Sequence, residues 1–303
     1  MQHGYSYAAT LAASQRINWR IEDIIGGDKR LSFGNPFLPE SLARIAPIAF
    51  LGEDEKVVLN QIRGNGYLYI FGLVEEFILP FVLDHTRPRL AGDDMRTRAF
   101  LQFAGEEAKH IDLFKRFRSE FEAGFGTMCK VIGPPDAIAK AVLAHHPLSV
   151  ALLTLHIEWM TQRHYVDSVK DDTALDAQFK SLLKHHWMEE AQHTKLDTLM
   201  VEELAGHCSK EEIAKAVDGY LEIGGMIDGG LKQQVAFDLE AFTEATGRLL
   251  SEAEREELTQ QQHQAQRWTF IGSGMSHPNY LGTVRALSPE SGAKLQQIAP
   301  GFC

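Results

Sequence analysis

Two copies of one short string, Glu106-Glu107-Ala108-Lys109-His110 and Glu189-Glu190-Ala191-Gln192-His193, occur in strongly helical parts of the chain. In each copy the second glutamate precedes the histidine by three residues. Positions i and i+3 of an α-helix lie on one face, about 5–6 Å apart, so the carboxylate and the imidazole can converge on one metal ion. Each string is therefore a candidate pair of metal ligands.

A lone glutamate precedes each string at nearly the same interval, and this spacing makes the pattern specific. Glu76 lies 31 residues before Glu107, and Glu158 lies 32 residues before Glu190. Two helical hairpins of equal length can pack with pseudo-twofold symmetry and bring four carboxylates to one level. In four-helix bundles, two Glu-x-x-His pairs and two lone glutamates form a dinuclear iron or manganese site. The spacing predicts such a bundle and such a site; the alternative is a set of exposed, salt-bridged motifs.

The first of these glutamates could be either Glu75 or Glu76. On a helical wheel Glu76 shares its side with mostly apolar residues, which are Val58, Ile62, Tyr69 and Leu83. The opposite side, expected to be solvated, carries polar residues: Lys56, Asn60 and Arg63. This pattern predicts Glu76 as the ligand and leaves Glu75 for a buried ion pair or a contact to a ligand. The reversed assignment stays open, because wheel phases drift along a long helix.

The last string belongs to a longer polar stripe. His186, Glu190, His193 and Asp197 follow one another at steps of four, three and four residues, which places them on one helical face. Periodicity alone leaves His186 as a third histidine ligand, a neighbour of the ligands or a surface residue. Asp197 is a candidate acceptor for the second N–H of a ligating imidazole, since such rings almost always donate that proton.

Turn formers and helical periodicity divide the chain into three parts, and runs of alternating β-branched residues do not occur. We therefore predict an all-α fold, a ferritin-like helical bundle with extra C-terminal helices. Its parts are an irregular N-terminal arm (1–50), a four-helix di-iron bundle core (51–205) and a C-terminal helical appendage packed on the bundle (206–303). The four core helices are predicted at about 53–85, 92–122, 146–170 and 173–205, with prolines between them.

The appendage is predicted in less detail. Ser209 and Glu212 form a capping box that begins a helix, which Gly229-Gly230 could break. A further helix is expected from Ser251 to about Arg267. The stretch Gly272–Asn279 has the composition of a loop and precedes a last short helix near 288–297.

Net charge and hydropathy limit the kinds of partner that the protein can be expected to bind. The net charge is −11, with 41 acidic against 30 basic residues, which argues against a nucleic-acid or anionic-membrane partner. The longest apolar run, Gly66–Leu83, contains Glu75, Glu76 and Pro80, so it predicts a buried core helix instead of a membrane span. No secretion signal is visible in the first twenty residues, and we expect a cytoplasmic protein.

One face of the first core helix suggests an interface. Tyr67, Ile70, Val74 and Phe81 form an apolar stripe opposite Glu76. Such a stripe is rarely left in contact with water, so it predicts a partner surface and a homodimer.

The predicted ligands resemble a known family. The order Glu76, Glu107-x-x-His110, Glu158, Glu190-x-x-His193 resembles that of the ferritin-like di-iron carboxylate proteins. The added His186, in His-x-x-x-Glu-x-x-His, is similar to the p-aminobenzoate N-oxygenase family of di-iron arylamine oxygenases, and so are the segments Leu59–Gly64 and Gly274–Pro278. The likeness spans roughly residues 40 to 290. The ligands that this resemblance implies are Glu76, Glu107, His110, Glu158, His186, Glu190 and His193.

The resemblance implies an enzyme that uses O2 to convert a small arylamine to the hydroxylamine or nitro compound. Carboxylates and imidazoles without a thiolate suit two iron ions, with manganese possible as a substitute. An external electron donor is expected, because no flavin or nicotinamide fingerprint occurs in the chain. A C–H hydroxylase or desaturase is the alternative, and a long apolar tunnel would favour it. Ferritin-like metal storage or peroxide detoxification is less favoured, because about 100 residues follow Gly206.

Overall fold

The computed structural model describes residues 3–303, which form twelve α-helices and no β-strand. The bounds of the helices, in chain order, are α1 Tyr7–Ser14, α2 Glu40–Ala43, α3 Glu53–Thr86, α4 Asp94–Phe125, α5 Pro135–Leu143, α6 Pro147–Arg163, α7 Ala177–Ala205, α8 Lys210–Thr246, α9 Glu252–Arg267, α10 Ser273–Met275, α11 Pro278–Leu287 and α12 Pro289–Ile298. Two π-helical segments, His164–Val169 and Trp268–Gly272, extend α6 and α9. The predicted all-α, ferritin-like bundle with extra C-terminal helices is confirmed.

The bundle consists of two helical hairpins. α3 packs along α4, α6 packs along α7, and α4 adjoins α7 across the middle. Local sequence sets where these helices begin: the Asp93 carboxylate accepts the Met95 N–H at 2.8 Å, and the Asp176 carboxylate accepts the Phe179 N–H at 2.7 Å. Each cap satisfies a backbone donor that the first turn leaves without a partner. The four predicted core helices lie within a few residues of the observed α3, α4, α6 and α7.

The appendage contains two departures from the sequence prediction. α8 continues through Gly229-Gly230 for 37 residues, so the predicted break does not occur. Each glycine weakens a helix by only about 1 kcal/mol relative to alanine, which the packing of α8 on α3, α6 and α9 offsets. The predicted loop from Gly272 is mostly helical. Its glycines permit close approach: a Cβ on Gly272 would lie 2.4 Å from the Phe302 carbonyl oxygen, and one on Gly274 would lie 2.4 Å from His156 Cδ2.

Arm and appendage cover a face of α3 that was expected to be solvated. The Asn60 side-chain oxygen accepts the Phe37 and Leu38 N–H groups of the arm at 2.7 and 2.9 Å. The buried Arg63 guanidinium donates to the side-chain oxygen of Gln262 on α9. The prediction that this face of α3 is exposed to solvent is therefore wrong. Residues distant in sequence cover the face and supply the hydrogen-bond partners of its polar side chains.

The apolar stripe of α3 is also covered by the chain itself. Tyr67, Ile70, Val74 and Phe81 are each at most 8% exposed, and α3 packs on α5 and α8. The stripe is thus core and not a free partner surface, which removes the observation behind the predicted homodimer. The homodimer itself stays a prediction.

Only one stretch of the described chain, Glu53–Arg89, is long and apolar enough to cross a membrane by length and composition. Its most apolar window has a mean hydropathy of 1.6, and 78% of that window is buried inside the structure. A core helix of a bundle has the same properties, as predicted for Gly66–Leu83.

Candidate metal centre

The structure contradicts the choice of Glu76 and places Glu75 among the predicted ligands. Glu75 is 2% exposed, and its Oε1 lies 3.2 Å from His186 Nε2. The Glu76 side chain is 30% exposed and forms a surface ion pair with Lys115 Nζ at 2.7 Å. The helical wheel failed because its phase relied on Asn60 and Arg63 being solvated, and both are buried.

The other six predicted residues come together in the middle of the bundle. Each of them is at most 2% exposed. Two overlapping groups have possible ligand atoms that all lie within 4.8 Å of one another: Glu75, His110, His186 and Glu190 in the first, and Glu107, His110, Glu190 and His193 in the second. Glu158 adjoins the second group, since its Oε1 lies 3.8 Å from His193 Nδ1. The arrangement can hold two metal ions; the role of each residue as a ligand stays a prediction.

Two of the carboxylates each lie close to more than one histidine. Glu190 Oε1 lies 2.6 Å from His186 Nε2 and 3.0 Å from His110 Nδ1, while its Oε2 lies 2.6 Å from His193 Nδ1. Glu107 Oε1 lies 3.0 Å from His193 Nδ1, and its Oε2 lies 3.6 Å from His110 Nδ1. Glu107 and Glu190 are therefore placed to bridge two ions.

Several polar atoms of the cluster lie close to one another but have no partner in hydrogen-bonding geometry among the described residues. They include both oxygens of Glu107, Nδ1 of His110, and one oxygen each of Glu75 and Glu158. Buried charged or polar atoms are costly unless they are paired or coordinate a metal. These atoms converge in the manner that metal ligands require, so the residues present fit a dinuclear metal centre.

Sequence reasoning missed two further carboxylates of the centre. Glu189 Oε2 lies 2.8 Å from His110 Nε2, and Glu106 Oε2 lies 2.9 Å from His193 Nε2. An acceptor at Nε2 directs Nδ1 of each ring toward the bridging carboxylates. The first glutamate of each string thus supports the histidine of the other string. The doubled Glu-Glu in both strings was the signal for this crossed pairing.

Asp197 does not have the role that its periodicity indicated. It is fully buried, but neither of its oxygens has a hydrogen-bond partner within residues 3–303, so no ligand histidine donates to it. Burial raises the pKa of Asp197 well above its usual value. Glu106 and Glu189, which come from facing helices, take the place that was predicted for it.

Burial and charge shift the pKa values of the cluster in opposite directions. Burial, reinforced by neighbouring carboxylates, raises the pKa of Glu75 and that of Glu158 well above the usual value. Burial alone would lower the pKa of His110 and of His193, but the facing carboxylates, Glu190 first, outweigh it and raise both. The metal-free cluster therefore holds protons, and metal ions must displace them to bind.

An apolar cavity of about 80 Å³ lies between α3, α5, α6 and α8. Phe270 is one of its walls and packs against Phe71, with ring centroids 6.2 Å apart. Phe71 in turn packs edge-on against His186, at 5.5 Å. The cavity shares Val142 and Ile227 with a surface hollow of about 290 Å³ between α5 and α8. A small apolar molecule could thus enter between α5 and α8, separated from the metal centre by Phe71 and Phe270.

Comparisons with known proteins add little to this site. No protein-family model and no curated protein matches the chain. Among solved structures, the chain is similar to three point mutants of R2-like ligand-binding oxidase, two with a Mn/Fe cofactor and one with an Fe/Fe cofactor. Identity is 13%, 13% and 12%, coverage is 87% of this chain and 94%, 93% and 92% of those chains, and the TM-scores are 0.44, 0.45 and 0.44. Similarity this distant supports no conclusion about the function of this chain. The functional conclusions therefore rest on the positions of its own side chains.

Proposed function

We propose that this protein is a non-haem di-iron oxygenase that activates O2 to oxidise a small organic substrate. The observation that carries the proposal is the pair of overlapping, buried Glu/His groups with converging, unpaired carboxylate oxygens; an apolar cavity lies on the other side of Phe71 and Phe270. Carboxylates and imidazoles without thiolate suit iron, and manganese is the substitute that the same donors accept.

The residues of the chain have separate tasks in this proposal. Glu75, His110 and His186 would hold one ion, because His110 Nδ1 and His186 Nε2 face the same oxygen of Glu190. Glu158 and His193 would hold the other ion, and Glu107 and Glu190 would contribute to both positions. Glu106 and Glu189 keep the two Nδ1 atoms directed at the ions. When bound, the reduced metal pair supplies the electrons that dioxygen chemistry requires. Phe71, Phe270 and the apolar walls keep water away from the substrate.

We propose N-oxygenation of an arylamine as the specific reaction. Its support is the likeness of His-x-x-x-Glu-x-x-His to the arylamine oxygenases, together with the position of His186 Nε2 next to Glu75 and Glu190. The volume of about 80 Å³ is small and suits a compact aromatic ring better than a long acyl chain. The alternative is a C–H hydroxylase or desaturase with a long tunnel, and the surface hollow of about 290 Å³ that adjoins the cavity is the observation that favours it.

The remaining features of the proposal concern partners and location. An external electron donor must reduce the metal pair again after each turnover, and the net charge of −11 suits a cytoplasmic protein without a nucleic-acid partner. We retain the homodimer as a proposal. Sedimentation of the purified protein tests it, and a monomer at micromolar concentration would exclude it.

Metal analysis and oxygen uptake test the function. The metal-free protein is loaded anaerobically with Fe²⁺, and bound iron is counted. The sample is then exposed to O2 with aniline or 4-aminobenzoate. We expect two irons per chain, oxygen uptake, and hydroxylamine or nitro product. His186→Ala protein should lose iron at one position only. Two bound irons without any oxygen uptake would overturn the oxygenase, uptake that yields only C–H hydroxylation would overturn N-oxygenation, and many irons per chain would indicate storage.

A further inference from the structure

The two strings differ at one position, and the structure shows a consequence of that difference. Glu-Glu-Ala-Lys-His contains Lys109 where Glu-Glu-Ala-Gln-His contains Gln192. Lys109 Nζ lies 2.5 Å from Glu189 Oε1, the carboxylate whose other oxygen lies 2.8 Å from His110 Nε2. A cation therefore lies directly behind the carboxylate that supports His110.

Trp19 of the N-terminal arm packs against this cation. Lys109 Nζ lies 3.7 Å from the centre of the Trp19 ring, in a cation–π contact. The Trp19 ring is nearly parallel to the His110 ring, with centroids 6.2 Å apart and an angle of 8°. Trp19 is 7% exposed and the Glu189 side chain 1%, whereas the Lys109 side chain is 25% exposed, so water screens the interaction between Lys109 and Glu189 only in part.

In the other half of the centre, residues 3–303 place no such cation. Glu106, which supports His193, accepts from the Gln102 side-chain amide at 3.0 Å and from the Ser14 hydroxyl, both of which are neutral. Gln192, the counterpart of Lys109, instead accepts from Lys195 Nζ at 2.9 Å. Glu106 thus has only neutral partners besides His193, whereas Glu189 has the Lys109 ammonium in addition to His110.

We propose that Lys109 makes the two metal positions unequal by selectively weakening the position served by His110. A carboxylate behind a ligating imidazole raises the basicity of that ligand, and changing such a carboxylate typically alters metal affinity by about 10–100-fold. A lysine ammonium paired with Glu189 opposes this effect at His110 and leaves His193 unaffected. Lys109 is a positioning and tuning residue, since it touches the supporting carboxylate and not the ions. The inference rests on the proposed metal centre and is independent of the reaction catalysed there.

Titration of the metal-free protein with Co²⁺, followed by visible absorption and calorimetry, tests this inference. Lys109→Gln makes the two strings identical, and we expect it to tighten one of the two binding steps about tenfold, with the other step unchanged. The tightened step must be the one that His186→Ala removes, because His110 Nδ1 and His186 Nε2 face the same oxygen of Glu190, at 3.0 and 2.6 Å. Lys109→Arg retains the charge and should titrate like wild type. Lys115→Gln, the same change on the same helix at an exposed surface pair, is the matched control and should also titrate like wild type.

The outcomes separate this inference from the metal centre itself. Two Co²⁺ ions with both steps shifted equally, or neither shifted, in Lys109→Gln protein would overturn the role of Lys109 and leave the centre intact. Equal behaviour of the Arg and Gln variants would show that packing against Trp19, and not charge, is what matters, and would overturn it too. Failure of wild-type protein to bind two ions would overturn the centre and the inference together. Circular dichroism of each metal-free variant confirms that it is folded.

Discussion

Replacing Glu75 by Gln distinguishes the two adjacent glutamates of α3. Glutamine keeps the size of the carboxyl group but cannot carry the negative charge that favours a divalent ion. Glu75 is buried and belongs to the group that contains His186, while Glu76 lies at the surface. We expect Glu75→Gln protein to retain one tightly bound ion per chain instead of two.

The same substitution should stabilise the metal-free protein. Burial first, and then the neighbouring Glu107 and Glu190, raise the pKa of Glu75 well above its usual value. A raised carboxyl pKa means that the contribution of the group to stability is fully present below its unfolded pKa and is lost as the pH rises. Each pH unit between the ordinary value near 4.3 and the assay pH costs up to about 1.4 kcal/mol. At pH 7 the gain from Glu75→Gln therefore has a ceiling of about 4 kcal/mol.

Glu76→Gln is the matched control for this measurement. Exposed ion pairs such as Glu76–Lys115 contribute about 0–1 kcal/mol, so this variant should bind two ions and lose at most about 1 kcal/mol of stability. The assays are metal analysis after anaerobic loading with Fe²⁺ and urea unfolding of the metal-free protein at pH 7. Two tightly bound ions in Glu75→Gln protein, with one in Glu76→Gln protein, would refute the assignment of Glu75.

His164 and His156 should each contribute less stability to the metal-free protein as the pH falls below 6.5, in opposition to Glu75, because burial lowers the pKa of His164 to about 3 and that of His156 to about 4. Each neutral histidine costs about 1.4 kcal/mol of stability per pH unit as the unfolded chain takes up a proton, so each unit of acidification should lower the free energy of unfolding of His164→Gln protein by about 1.4 kcal/mol less than that of wild type; an identical pH dependence would contradict this. Val142→Phe should fill the apolar cavity and lower kcat/KM for arylamines about tenfold with two ions still bound, whereas an unchanged kcat/KM would exclude the cavity as the substrate site. Gly274→Ala should destabilise the fold by about 1–3 kcal/mol, because its Cβ would lie 2.4 Å from His156 Cδ2. Gly225 lies on the exposed face of α8, where an added Cβ would meet open space, so Gly225→Ala should raise the free energy of unfolding by up to about 1 kcal/mol. Equal shifts of the melting temperature in the Gly274→Ala and Gly225→Ala proteins would contradict the packing argument.

The sequence alone predicted the bundle and most of the centre, because both depend on local helix geometry. The i, i+3 spacing of Glu107 with His110 requires only that the segment be helical. The matched intervals to the second string require only hairpins of equal length. Periodicity also placed His186 on the stripe of Glu190, although it left the role of His186 open.

Only the tertiary structure decided which side of α3 faces the centre and what lies behind the histidines. The choice of Glu75 over Glu76 depended on Asn60 and Arg63, which the arm and α9 bury through hydrogen bonds across 22 and 199 residues of sequence. Helical periodicity does not indicate which neighbour covers a face, and that neighbour determines burial. The crossed pairing of the outer glutamates, and the cation beside one of them, likewise arise where α4 and α7 meet. The repeat in the sequence therefore determined the symmetry of the centre, and the packing of the arm and the facing helices decided how that symmetry is broken.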